Sequence, residues 1–278
     1  MTYSIVARDP KTGELGVGVQ SRAFNTGAAV PWGAPGVGVV ATQSYTERSY
    51  GPLGLELLRS GKSPEQALAA LVAADDEQQY RQVAILDAEG QVAVHVGEAC
   101  IPAAGSAAGD GFSAQANMVA SERVWEAMAE SFERSQGPLE ERLLDALDAA
   151  EAAGGDWRGR QAAGILVVAG EGQAWQREVD LRVDDHAEPL AELRRLIRMR
   201  RAYRAMREPP GPTADELEVL PELDRRWAQI YIATARGQLD EARELLRPFL
   251  EEEPRWGDLI RSVADRGLLP NADKLLEE

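Results

Sequence analysis

The sequence holds a single cysteine, Cys100, and only two histidines, His95 and His186. A lone cysteine excludes an intrachain disulfide and a thiolate metal cluster, and with so few imidazoles no metal centre is expected. Long apolar runs are missing too: no stretch of about 18 uninterrupted apolar residues occurs, so no membrane span is expected. The opening residues MTYSIVARDP show neither the basic region nor the apolar run of a secretory signal, which reads as a cytoplasmic protein. Positive charge is scarce, with 30 Lys and Arg against 46 Asp and Glu and a formal net charge of −16. That balance repels phosphate backbones and argues against a nucleic-acid partner. The arginines that do cluster, from Arg194 and Arg195 to Arg201 and Arg204, read as the solvated face of a helix with acidic neighbours. No glycine-rich loop opens a helix after a strand, since Gly16 and Gly18 sit inside a strand pattern, and no cofactor is expected.

What the chain does contain is two kinds of periodicity arranged in blocks. Thr2, Ser4 and Val6 alternate with Tyr3, Ile5 and Ala7, as a half-buried strand would require. The turn sequence Asp9-Pro10-Lys11-Thr12-Gly13 leads into a returning strand over 15–21, so the chain opens with a hairpin. A glycine- and proline-rich loop is expected over 25–35, followed by a buried strand over 36–44 whose glycines suggest close backbone approach. Helices are expected over 54–59 and 64–74, the second opened by Ser63 with Pro64 at its first position and Gln66 completing a capping box. Strands over 81–87 and 91–96 flank the turn at 88–90, and another follows over 112–119. Helical spacing returns over 121–134 and 139–152 and stops at Gly154-Gly155. Strands over 162–169 and 175–181 and a helix over 189–206 complete this part.

This order predicts an α+β, four-layer αββα sandwich, with two stacked antiparallel sheets and helix pairs outside them. The linker is placed at Glu208-Pro209-Pro210-Gly211-Pro212, because consecutive prolines end a helix, which gives a sandwich domain over 1–207 and a helical module over 213–278. In the module, helices over 227–236 and 239–250 break at Gly237. The spacing of Gly237, Leu239, Ala242, Leu246 and Pro254 resembles half of a tetratricopeptide repeat. A single repeat does not bury its own face, so the tail is expected to pack on the main domain or on a second copy, and a homo-oligomer is expected.

Particular segments carry a closer resemblance: SIVARDP, VQSRAF, VPWGAPGVGVVATQS, SYGPLGLELL, RQVAI, the asparagine of QANM, GGDWRGRQ and DLRVDDH. Over about two-thirds of its length the chain resembles the bacterial family known as domain of unknown function 1028, which is similar in fold to N-terminal-nucleophile hydrolases. Some members carry C-terminal regions described as peptidoglycan-binding. Ala162 stands where this family commonly has serine, and Ala116 where it commonly has glycine.

The resemblance implies a nucleophile at the first residue left after processing, with that residue's own α-amine as base. An α-amine with a pKa near about 8 accepts a proton without help from a histidine. Thr2 follows Met1, and a small second residue permits removal of the initiator methionine, so Thr2 is the expected nucleophile. Ser4, inside the strand, is the weaker alternative. Ser21 and Gln43 end strands that a sandwich brings close to the N-terminus, where they orient the amine or a substrate amide, or serve as ordinary hydrogen-bonders. Asn117 is a candidate oxyanion donor. In the loop from Gly154 to Gln161 two uses are open: Arg158 or Arg160 grips a substrate carboxylate, with Gln161 beside them, or Asp156 pairs with an arginine to hold the loop. Asp184 and Asp185 read as caps of the following helix, and His95 and Cys100 as local hydrogen-bonders. The expected activity is hydrolysis of a small amide or peptide-like substrate. The alternative is a catalytically inactive sandwich used as a ligand-binding or protein-interaction scaffold, with a link to the cell wall.

Overall fold

The computed structural model describes residues 2–206 and 211–275. Strand β1 (Thr2–Arg8) runs antiparallel to β2 (Leu15–Ser21), and Gly13, with φ of 76°, makes the turn between them. Then come β3 (Pro31–Ala34), β4 (Gly38–Ser44), α1 (Tyr50–Arg59), α2 (Pro64–Ala73), β5 (Arg81–Asp87), β6 (Val92–Val96), β7 (Gly105–Gly109) and β8 (Phe112–Asn117). Helices α3 (Arg123–Arg134) and α4 (Leu139–Ala152), strands β9 (Ala162–Val168) and β10 (Val179–Val183), and helix α5 (Pro189–Ala205) follow. The chain divides into two units, Met1–Arg194 and Arg195–Glu278, and the division falls inside α5. Of the expected proline linker, residues 208–210 lie outside the described residues.

In the first unit the strands form two antiparallel sheets, a larger one in the order β10-β9-β2-β1-β8-β7 and a smaller one in the order β3-β4-β5-β6. Helices α1 and α2 cover the smaller sheet, α3 and α4 cover the larger, and the sheets face each other. This is the expected four-layer αββα sandwich. Val6, Leu15, Val17, Val19, Val39, Ala41, Ala84, Leu86, Leu166 and Val168 meet between the sheets in an apolar core. Burying each such side chain contributes on the order of 1.5–3 kcal/mol. The outer face of β2 is glycine because α4 lies close: a Cβ on Gly16 would stand 2.7 Å from Leu143 Cδ1.

Local signals account for the elements that match expectation. The Ser63 side chain accepts from Gln66 N while the Gln66 side chain accepts from Ser63 N, a capping box that starts α2 and is worth about 1 kcal/mol. Several elements depart from expectation for identifiable reasons. Strand β1 is buried on both faces rather than one, because α4 covers the side that Tyr3 and Ile5 point to. Strand β3 lies within the expected loop; as an edge strand it tolerates Pro31 at its start. Strand β7 lacks β-branched residues, but Gly105 and Gly109 leave room for Trp125 and Phe112, whose ring atoms would stand 2.6 and 2.3 Å from a Cβ. Helix α1 begins at Tyr50 rather than 54, where Gly51 lies against the Trp32 ring. Strand β10 begins at Val179 rather than 175, and Trp175 is exposed.

The second unit adds α6 (Ala214–Glu218), α7 (Glu222–Ala235), α8 (Leu239–Glu252) and α9 (Trp256–Asp265). Helix α9, absent from the expectation, supplies what the isolated repeat lacked. Ile230, Ala233, Ala242, Leu246, Phe249, Ile260 and Leu275 form a core of the unit's own. Trp227 stacks on Trp256 with centroids 5.1 Å apart, and Phe249 meets Trp256 edge-on at the same separation.

Candidate active site

Along the inward face of β1 the sequence passes from Val6 through Ser4 to Thr2, so the space between the sheets turns from apolar to polar toward one end. Strict alternation does the same on the neighbouring strands. Val19 gives way to Ser21 on β2, Ala41 to Gln43 on β4, and Ala84 to Gln82 on β5, while β8 contributes Ser113, Gln115 and Asn117. Thr2 lies between Ser21 and Asn117 in register, the first on β2 and the second on β8. Its hydroxyl meets Ser21 Oγ at 3.2 Å. Ser21 and Gln43 are fully buried, Asn117 is 2% exposed and Thr2 7%.

Amides stitch the two sheets together here. Gln43 Nε2 donates to Gln82 Oε1 at 2.6 Å and lies 3.3 Å from the Thr2 carbonyl. Gln82 Oε1 also accepts from Asn117 Nδ2 at 2.9 Å, and Gln82 Nε2 donates to the carbonyls of Ala116 and Gly105. Gln115 Nε2 donates to Ser4 Oγ at 2.6 Å. Gln43 Oε1 is buried with no hydrogen-bond partner among the described residues, an arrangement that costs about 1–3 kcal/mol unless a donor arrives.

On the helix side of the same strand end, Tyr3 donates its hydroxyl to Glu151 Oε2 at 2.6 Å, and Arg160 Nε holds the other oxygen at 2.6 Å. Burial, and after it the neighbouring Glu151 carboxylate, holds the Tyr3 phenol well above its ordinary value. The hydrogen bond from Arg160 to Glu151 is the main influence raising that guanidinium further. The loop from Gly154 to Gln161 is tied to the end of β2: Asp156 Oδ2 accepts from Arg22 N at 2.8 Å, and Asp156 also takes the Arg158 backbone N–H and its guanidinium. Gln161 Oε1 accepts from Arg22 Nη1 at 2.5 Å, and its nitrogen donates to Asp185 Oδ1 at 3.0 Å.

The structure therefore brings Thr2, Ser21, Gln43 and Asn117 into one cluster and seats Asp156, Arg158, Arg160 and Gln161 at the same end of the larger sheet. Asp185 Oδ1 accepts from Gln161 Nε2 at 3.0 Å. His95 Nε2 contacts the Gln78 carbonyl at 2.8 Å and Cys100 Sγ the Arg81 carbonyl at 3.4 Å, both local contacts. Sequence reasoning missed Gln82 and Gln115, polar side chains at inward positions of β5 and β8, and Arg22. The period-two pattern carried the signal for the two glutamines. Ala162 faces Ser21 in register and shares the inward parity of Leu166 and Val168. Ala116 shares the outward parity of Ala114 and points away from the cluster, toward the helix layer.

Two stacked antiparallel sheets between helix pairs define an α+β, four-layer αββα sandwich, with Thr2 heading a central strand. Residues 2–193 match the family of unknown function DUF1028, and the chain belongs to that family. A crystal structure from Silicibacter pomeroyi assigned to the same family is 33% identical, covering 70% of this chain and 84% of its own, with a TM-score of 0.66. Anbu (ancestral beta-subunit) from Yersinia bercovieri is 12% identical, covering 76% of this chain and 99% of its own at a TM-score of 0.33. Anbu from Hyphomicrobium sp. strain MC1 is 12% identical, covering 75% and 99% at 0.34. No curated protein matches this chain. No helix among the described residues is long and apolar enough to cross a membrane.

Proposed function

We propose that the protein is an N-terminal-nucleophile hydrolase of a small amide or peptide-like substrate, acting through Thr2 once Met1 is removed. The freed α-amine takes the proton from Thr2 Oγ1 as the oxygen attacks the substrate carbonyl, and returns it to the departing amine. Asn117 has two N–H groups on Nδ2, one engaged by Gln82; the other is the donor for the developing oxyanion, a contact worth about 3 kcal/mol in well-placed cases. Ser21 positions the Thr2 hydroxyl, and Gln43 positions the Thr2 carbonyl from the opposite sheet. The orphaned Gln43 Oε1 supports the reading, since a freed amine or a substrate N–H is the kind of donor it calls for. Asp156 and Arg158 hold the neighbouring loop in shape. A cytoplasmic, self-associating protein without a nucleic-acid partner belongs to the same proposal.

The observation that carries this reading is the hydroxyl contact of Thr2 with Ser21, made at the head of a central strand. Its test is the intact mass of protein from the native host, followed by amide hydrolysis compared between wild type and Thr2→Ala. Loss of one methionine and a dead variant support it; retained Met1, or full activity in the variant, sinks it. A second reading, a sandwich that kept the fold as a ligand-binding scaffold, is favoured by one observation. Ala162 puts a methyl group beside Ser21 where the family commonly carries a hydroxyl.

A further inference from the structure

The arginines of the loop after α4 are already neutralised. Arg158 lies on the buried Asp156 at 3.1 Å, and Arg160 is held by Glu151 and Glu188. Arg22 differs. Its backbone N–H is fixed by Asp156 directly after Ser21, but its exposed guanidinium meets the neutral Gln161 amide and makes no ion pair among the described residues. Gln161 is itself oriented by Asp185, so the guanidinium is aimed without being matched by a carboxylate in direct contact. In a chain with 46 acidic residues against 30 basic ones, an arginine left in that state beside a buried polar cluster stands out.

Large apolar side chains gather at the same end. Phe24 is 69% exposed, two residues beyond Arg22, and Trp157 is 63% exposed, next to the Asp156 that binds the Arg22 backbone. Tyr45, 59% exposed, follows the end of β4 where Gln43 reaches the Thr2 carbonyl. Aromatic surface beside a directed, unmatched guanidinium is a recognition pattern for an organic anion with an apolar side chain.

We propose that Arg22, with Phe24 and Trp157, forms the subsite that selects a substrate bearing a free carboxylate and an aromatic or large aliphatic side chain, namely an N-acylated amino acid or the C-terminal end of a short peptide. The assignment takes its chemistry from the Thr2 reading, but binding at the subsite stands separately. Arg22 directly follows Ser21, the residue paired with Thr2 in register, so the subsite lies at the same end of the larger sheet as Thr2.

The test uses the full-length protein and its Thr2→Ala form, titrated with N-acetyl-L-phenylalanine and with its neutral counterpart N-acetyl-L-phenylalaninamide. The carboxylate is expected to bind about tenfold tighter than the amide, in line with a charge-assisted bidentate pair. Arg22→Gln removes the preference, Arg22→Lys retains part of it, and Trp157→Ala weakens both probes alike. Equal affinity for the two probes, an unchanged preference in Arg22→Gln, or no binding at millimolar concentration overturns the proposal. Arg22-dependent binding without turnover by wild type supports the subsite and counts against the Thr2 reading alone. Turnover indifferent to the carboxylate and to Arg22 does the reverse.

Discussion

Asn117 on the larger sheet donates its side-chain N–H to Gln82 on the smaller one at 2.9 Å, so the two sheets are joined at their polar end by a neutral hydrogen bond. Gln82 also receives Gln43 and donates to Gly105 and Ala116. Gln82→Leu leaves buried donors and carbonyls without partners. It is expected to cost about 3 kcal/mol, read as a shift of the denaturant midpoint at unchanged slope; an unmoved midpoint would mean the network contributes nothing.

Tyr3→Phe removes the hydroxyl from Glu151, which keeps Arg160. The loss near neutrality is therefore small, about 1–2 kcal/mol. Because the folded-state value of the phenol is raised above the ordinary value of about 10, its contribution is complete below that pH and is lost as pH rises through the folded value. The stability gap between wild type and variant should close in alkali. A gap that widens there would refute the assignment.

Asp75 gives the opposite sign. Hydrogen bonding from Arg81 is the first cause that holds its carboxyl below the usual range, and Arg81 carries that anchorage on to the Tyr45 carbonyl at 2.9 Å. The contribution is present above the unfolded value of about 4 and is lost as pH falls through the folded one. Asp75→Asn should cost about 1–3 kcal/mol at pH near 7, with the difference vanishing in acid unfolding curves.

Ala162→Ser restores a hydroxyl opposite Ser21. A buried hydroxyl without a partner costs about 1–3 kcal/mol; with Ser21 beside it, the expected change in thermal stability is under about 1 kcal/mol. A larger loss would show that the two side chains do not meet.

How much of this was legible in the sequence depends on what each segment had to signal with. Ser63, Pro64 and Gln66 announced α2, and the spacing of Leu139, Leu143, Leu144 and Leu147 announced α4, because capping and apolar periodicity are local. The block order and the family resemblance gave the sandwich. Strands β3 and β7 were hidden because their glycines leave room for neighbours instead of showing a β-branched pattern: Leu166, Val39 and Val168 against Gly33, and the Trp125 and Phe112 rings against Gly105 and Gly109. The candidate cluster was half legible: Thr2, Ser21, Gln43 and Asn117 sit at strand ends, where polar residues attract notice. Gln82 and Gln115 sit at inward positions of β5 and β8 by the period-two pattern, but only the pairing of the two sheets brings them into one cluster. Arg22 could not be told from other arginines, since what sets it apart is its place directly after Ser21 and its contact with the neutral Gln161 amide.

The side chains that fill the polar end of the interior are hydroxyls and carboxamides: Thr2, Ser4, Ser21, Gln43, Gln82, Gln115 and Asn117. None of these changes charge between about pH 5 and 9, the span in which histidine and an α-amine respond. This cluster is thus chemically mute toward acidity. A rate measured there that bends with pH in that span takes its bend from an α-amine, that of a retained Met1 or of a liberated Thr2, or from the substrate, so intact mass and pH profile have to be read together.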